Sequence, residues 1–134
     1  MRFSLLFAVS IAILVTACKQ TSQHETAEMY EASPLSQTMR TMVSFSKQAK
    51  TQIANGEGID SIPAEIWDMA QATGTRDEHL EADFQTLAKP YLKALRGLER
   101  GDSLAHYYKK SIDACKSCHS VYCGGPMSII NQLD

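Results

Sequence analysis

The sequence predicts an all-α fold, an antiparallel four-helix bundle in which the second helix is short. Three observations predict it. Apolar residues recur at spacings of three and four along most of the chain after residue 34. No window alternates apolar and polar residues convincingly, and clusters of β-branched residues are absent. Caps and breakers fall between the periodic stretches, so the connections are short and consecutive helices must pack against one another. The 134 residues suit one small domain.

The first helix runs over about 35–54. Ser33 is a cap and Pro34 suits the first position. Leu35, Met39, Met42, Ala49 and Ile53 fall on one stripe, with Val43 and Phe45 beside it, and Asn55-Gly56 stops the helix. A shorter helix covers about 62–73, capped by Ser61 with Pro63 near its first turn. Ile62, Ile66, Trp67, Met69 and Ala70 give it an apolar face, and Gly74 ends it. The third, about 76–99, repeats Leu80, Phe84, Leu87, Tyr91, Ala94, Leu95 and Leu98. Pro90 lies inside this pattern and deletes a backbone hydrogen bond, which predicts a kink or a split. The fourth opens at Gly101-Asp102-Ser103 with Asp102 as its cap and runs to about Tyr122. Leu104, Tyr107, Tyr108, Ile112, Cys115 and His119 share its buried side, and Gly124-Gly125-Pro126 terminates it.

The start of the sequence reads differently. Met1-Arg2 is followed by a 13-residue stretch, FSLLFAVSIAILV, apolar but for Ser4 and Ser10, too short to span a bilayer as a folded helix but suited to the core of a secretory signal. Leu14-Val15-Thr16-Ala17-Cys18 then resembles a bacterial lipobox, in which the Cys18 thiol is acylated. The expected division is a signal peptide over 1–17, a polar tether over 18–33 and a helical domain over 34–134. The expected location is the periplasmic side of a bacterial membrane, with the lipid as anchor; Lys19 after Cys18 favours the outer membrane. His24 lies in the tether and is read as solvated. With 13 Lys+Arg against 15 Asp+Glu and no basic run, nucleic acid is not an expected partner.

The chemistry is concentrated in DACKSCHSVYC, residues 113–123, which holds three of the four cysteines. Cys115, Cys118 and His119 stand at i, i+3 and i+4 on the last turns of a helix and so share one face. That arrangement suits a porphyrin lying against the helix, with two thiols for two vinyl groups and an imidazole for the iron. A thioredoxin-like dithiol calls for a strand before the motif, and none precedes it. A zinc site needs four ligands. Cys115, Cys118, His119 and Cys123 supply that number, but the adjacent pair Cys118-His119 is awkward for one tetrahedral ion. The C-x-x-C-H motif in an exported protein is a specific signal for haem c, one group held covalently.

A C-x-x-C-H near the C-terminal end of a four-helix pattern resembles the class II c-type cytochromes, the cytochrome c-prime and cytochrome c556 group. The matching stretches are Met39-Arg40-Thr41-Met42, Pro63-Ala64-Glu65-Ile66-Trp67, Gly101-Asp102 and Cys115-Lys116-x-Cys118-His119-x-x-Tyr122, within about 34–123. The resemblance implies thioether attachment through Cys115 and Cys118, with His119 as proximal iron ligand. It also places one residue of the first helix on the opposite side of the haem: Met39, with Met42 as second choice. Where the family often has an arginine this sequence has Leu35 and Cys123, which leaves Arg40 or Lys47 for the propionates.

The expected function is one-electron transfer with redox partner proteins in the periplasm. The sequence carries no acid–base or nucleophile constellation, so no enzyme is expected. Two alternatives stay open: a five-coordinate haem protein that binds a diatomic gas such as nitric oxide, and a haem-free structural lipoprotein with zinc or a disulfide at the cysteine cluster. His79 and His106 are read as surface residues, and Trp67, Tyr91, Tyr107 and Tyr108 as core aromatics. Cys123 is the odd thiol. A free thiol, a disulfide joining a homodimer and an inert buried thiol are its open roles.

Overall fold

A computed structural model describes residues 31–76 and 82–134. Cys18, His24, His79 and Leu80, with the signal and most of the tether, lie outside the described residues. The described residues form helices, without a strand. The elements are α1 (Pro34–Ala54), α2 (Ala64–Trp67), α3 (Ala82–Glu99), α4 (Leu104–Tyr122), α5 (Met127–Ile130) and a closing 3₁₀ turn (Asn131–Leu133). None of these helices is long and apolar enough to cross a membrane.

Helix α1 begins where its cap predicts. The Ser33 hydroxyl accepts from the Ser36 N–H at 3.3 Å, and Pro34 takes the first position. The Leu35 N–H, which has no partner inside the helix, donates to the Thr73 carbonyl at 3.0 Å. The buried face of α1 is broader than the predicted stripe. Phe45 is a core residue rather than a flanking one, and Thr38, Ser46 and Gln52 are buried with it. Gln52 is tolerated there because its amide donates to the Asp60 carboxylate at 2.7 Å.

The second helix is shorter than its pattern. One helical turn, Ala64–Trp67, is followed by turns through residue 72, and Pro63 rather than Ser61 holds the cap position, without a capping hydrogen bond. Ile66, Met69 and Ala70 are still buried, so the apolar face survives without the helix that was expected to carry it. Trp67 is only half-buried.

Helix α3 continues through Pro90 without a break, so of the expected kink or split the split does not occur. Pro90 is exposed, where water can satisfy the carbonyl it leaves without a partner. The start of α4 also differs from expectation. Ser103, not Asp102, sits at the cap, with φ 35° and no hydrogen bond from its hydroxyl to the helix. Asp102 instead accepts from the Arg100 guanidinium at 2.7 Å. Gly101, at φ 74°, makes the left-handed turn that joins the two helices. Helices α3 and α4 share the most extensive contact among the described elements. Tyr91, Leu95 and Leu98 of α3 and Tyr108 and Ile112 of α4 belong to one core with Met42, Phe45 and Ala49 of α1.

Past the Gly124-Gly125-Pro126 stop the backbone turns back onto this core. Ile130 and Leu133 are each 3% exposed. The buried Tyr108 hydroxyl donates to the Leu133 carbonyl at 2.6 Å. Lys50 of α1 donates to the Asp134 carbonyl, and Lys116 of α4 pairs with the Asp134 carboxylate.

Candidate haem site

Helix α4 carries Cys115, Cys118 and His119 where α1 and the closing segment approach it. A cavity of about 400 Å³ opens there, within the range usual for small-molecule sites. Leu35, Met39 and Val43 of α1 wall one side; Cys118, His119 and Tyr122 of α4 wall the other; Pro126 and Ile129 close the end. Two smaller spaces continue inward. One, about 50 Å³, is bounded by Met39, Met42, Ser46, Cys115, His119 and Leu133 among others. The second, about 20 Å³, is bounded by Met39, Met42, Met69, Tyr91, Cys115, Cys118 and His119 among others. Met39 and His119 border all three spaces, and Met42 borders the two inner ones.

His119 is held in a defined orientation. Its Nδ1 lies 2.9 Å from the Cys123 carbonyl, while the Cys123 N–H donates back to the His119 carbonyl at 3.3 Å. A carbonyl only accepts, so Nδ1 carries the proton, and in the neutral ring the lone pair is left on Nε2. This is the tautomer a metal ligand needs, with its outer nitrogen fixed by a backbone oxygen. Nothing in the sequence signals this clasp, because a backbone carbonyl is common to every residue type.

The cysteines differ in their surroundings. Burial pushes the Cys115 thiol up to about 12, with the neighbouring Cys118 adding to the shift. Cys118 is raised as well, by burial. Cys123 is exposed, which removes the inert buried thiol from its three open roles. Cys115, Cys118 and Cys123 are all free thiols, with no disulfide among them. Among the described residues, no three of His, Cys, Asp and Glu gather as a metal-holding group. The zinc alternative therefore lacks a preformed site there.

Other predicted residues are sorted by the same geometry. Arg40 borders the open cavity, whereas Lys47 is exposed and borders none of the three spaces. His106 is exposed, with its ring edge-on to Tyr107. Tyr122 leans on Phe84 with ring centroids 5.7 Å apart, and the Arg76 guanidinium donates to the Tyr122 carbonyl at 2.6 Å. Sequence reasoning missed Pro126, Ile129, Ile130 and Leu133, which complete the walls. It also missed Ser46, and Tyr91 as a polar group rather than a core ring. The Tyr91 ring is buried and its hydroxyl is without a hydrogen-bond partner among the described residues. Burial drives its ionisation far above the ordinary tyrosine range, so the hydroxyl keeps its proton.

A haem fits these residues on the chemistry of the donors: two thiols at C-x-x-C spacing, an imidazole with the free nitrogen a metal needs, and a thioether across an apolar cavity. No protein-family model, curated protein or solved structure matches this sequence.

Proposed function

We propose that this protein is a monohaem c-type cytochrome of the class II kind, an antiparallel four-helix bundle that carries single electrons between partner proteins in the periplasm. Cys115 and Cys118 would hold the haem as thioethers, His119 would ligate the iron through Nε2, and Met39 would take the opposite position. The observation that carries the reading is the meeting of Cys118, His119 and Met39 on one cavity of about 400 Å³, with Cys115 on the two spaces behind it.

When bound, the haem supplies the reversible Fe(III)/Fe(II) couple. The rest falls to the protein. His119, clasped by the Cys123 carbonyl, offers a fixed nitrogen. Leu35 and Val43 keep the cavity apolar, and Arg40 at its wall provides a cation for carboxylates. Met39 is half-buried and borders the open cavity, whereas Met42 is buried and borders only the inner spaces, which favours Met39 as the sulfur donor. Acylation at Cys18 would tether the domain to the membrane, and mass spectrometry of the mature N-terminus tests it: an unmodified Cys18 rules it out.

A pyridine haemochrome spectrum after acid-acetone extraction tests the main reading. The haem is expected to stay with the protein, and Cys115→Ala with Cys118→Ala is expected to abolish attachment. Haem that partitions into the solvent, or attachment that survives the double substitution, would show the reading to be wrong. The apolar walls around Met39 also suit the second reading, a diatomic gas at an open iron position, and the iron spin state separates the two.

A further inference from the structure

Tyr91 is the one buried side chain among the described residues whose polar atom finds no partner. It is 2% exposed, so water does not satisfy it from outside. Leaving a buried hydroxyl without a partner costs about 1–3 kcal/mol, and a phenylalanine would fill the same ring space without that cost. The position of the hydroxyl explains why a tyrosine is there. Tyr91 projects from α3 to the 20 Å³ space that Met39, Met42, Cys115 and His119 also border. The Ser46 hydroxyl, on the neighbouring 50 Å³ space, is near enough to lower the ionisation of Tyr91 against the effect of burial, but it does not meet hydrogen-bond geometry with it. The side-chain acceptors on this wall are the thioethers of Met39, Met42 and Met69, the thiols of Cys115 and Cys118 and the imidazole of His119.

We propose that the Tyr91 hydroxyl donates a hydrogen bond to the Met39 sulfur once that sulfur ligates iron, and so sets how strongly the thioether donates. The assignment rests on the haem reading above. Its physical consequence has a definite sign. A donor on the sulfur withdraws electron density, weakens the bond to the electron-poorer ferric ion more than to the ferrous one, and favours the reduced protein. Tyr91 is thus a positioning residue for the iron ligand, acting through Met39 and not on the iron.

The test uses the haem-loaded full-length protein with Tyr91→Phe, and Ser46→Ala as the control that removes the neighbouring hydroxyl. Spectroelectrochemical titration is expected to shift the ferric-to-ferrous ratio of Tyr91→Phe toward ferric by roughly threefold or more at fixed potential. The sulfur-to-iron charge-transfer band should strengthen with it, while Ser46→Ala leaves both unchanged. A lost ring contact alone would move neither, because phenylalanine keeps the ring. An unchanged ratio, a shift toward ferrous, or an equal shift in Ser46→Ala overturns the assignment. Covalent haem with a high-spin ferrous wild type overturns it too. That result is visible before any variant is made and identifies the failed step as thioether ligation; a haem that is not covalent identifies the failure of the haem reading itself.

Discussion

Where α3 meets α4, Gly97 lets the Tyr107 ring lie so close to the backbone that an added Cβ would stand 2.3 Å from it. Where α1 meets the end of α4, a cavity of about 400 Å³ stays open. Both regions are walled by aromatic and aliphatic side chains, so composition does not separate them. Closure does. The first is a contact between two long helices joined by a tight turn, and it buries Leu95, Leu98 and Ile112 almost completely. The second is a contact of α1 with α4 completed only by a short closing segment, and it leaves Met39, Cys115 and His119 half-buried. A close-packed interior tolerates few voids. The open cleft beside Cys118 and His119 is where the proposed haem would lie, on a scaffold that is tight elsewhere.

The largest expected effect breaks the open side. In the haem-loaded protein, Met39→Ala is expected to convert a low-spin ferrous iron to high-spin, read by visible absorption or magnetic circular dichroism. Met42→Ala should keep the low-spin state, because Met42 belongs to the packed core. It should instead lower stability by about 2–5 kcal/mol, as deletions of buried side chains do. Loss of the low-spin state in Met42→Ala alone would move the ligand one helical turn and keep the mechanism.

The tight side is broken at Gly97. Gly97→Ala would gain a fraction of a kcal/mol in helix propensity, yet its Cβ would fall against the root of the Tyr107 ring. We expect a net loss of about 1–3 kcal/mol in denaturant unfolding, with the iron spin state unchanged. A stabilised variant would show that the ring moves aside freely and that this contact is no firmer than the cavity wall.

These two regions were not equally legible in the sequence. Ser33-Pro34, Asn55-Gly56 and Gly124-Gly125-Pro126 marked helix ends because caps and breakers act locally. The spacing of Cys115, Cys118 and His119 put them on one face because helical geometry is local as well. The closing segment was not legible. Met127–Ile130 is one turn long, too short to show a period, and Tyr108 reaches the Leu133 carbonyl 25 residues away. The extent of the second helix was overread for the converse reason: its apolar spacing is real, but turns bury Met69 and Ala70 as well as a helix would. Pro90 was expected to kink or split α3, and it does not split it: the proline is exposed, where water can satisfy the freed carbonyl. The polar core residues Thr38, Ser46 and Gln52 were hidden because what makes them tolerable is tertiary, as the Gln52–Asp60 contact shows.

Thiol accessibility sharpens the comparison at smaller cost to the protein. In the haem-free protein, Cys123 is exposed while Cys115 is held up to about 12 by burial. Alkylation followed by peptide mass spectrometry should therefore label Cys123 first and Cys115 last. A thiol whose folded value is raised contributes stability that is present below its unfolded value and is lost as pH rises through the folded one. For Cys115 the window runs from 9.0 to about 12. Stability of the haem-free protein should fall across that window, and the fall should be smaller in Cys115→Ala. In the denatured haem-loaded protein only Cys123 of the three should react.

The smallest effect concerns the closing segment, which belongs to neither region and joins them. The Asp134 carboxyl is held below the usual carboxylate range, first by its hydrogen bond from Lys116, then by the charges of Lys116, Lys109 and Lys50. Lys116 stands between the two cysteines of the motif, so this ion pair ties the closing segment to α4. A depressed folded value contributes stability that is present above the unfolded value and disappears as pH falls through the folded one. The pair is partly exposed, so salt screens it and its contribution is slight. Thermal unfolding from about pH 5 down to about pH 2 should show the midpoint falling slightly less steeply in Lys116→Met than in the wild type. High salt should narrow the difference. Amide exchange at Ile130 and Leu133 should quicken in Lys116→Met but not at Leu95 or Ile112, since only the former lie on the segment that the pair fastens. Equal quickening at all four would mean that the closing segment and the tight helix contact open as one unit, and the distinction between the two regions would then be one of packing alone, not of stability.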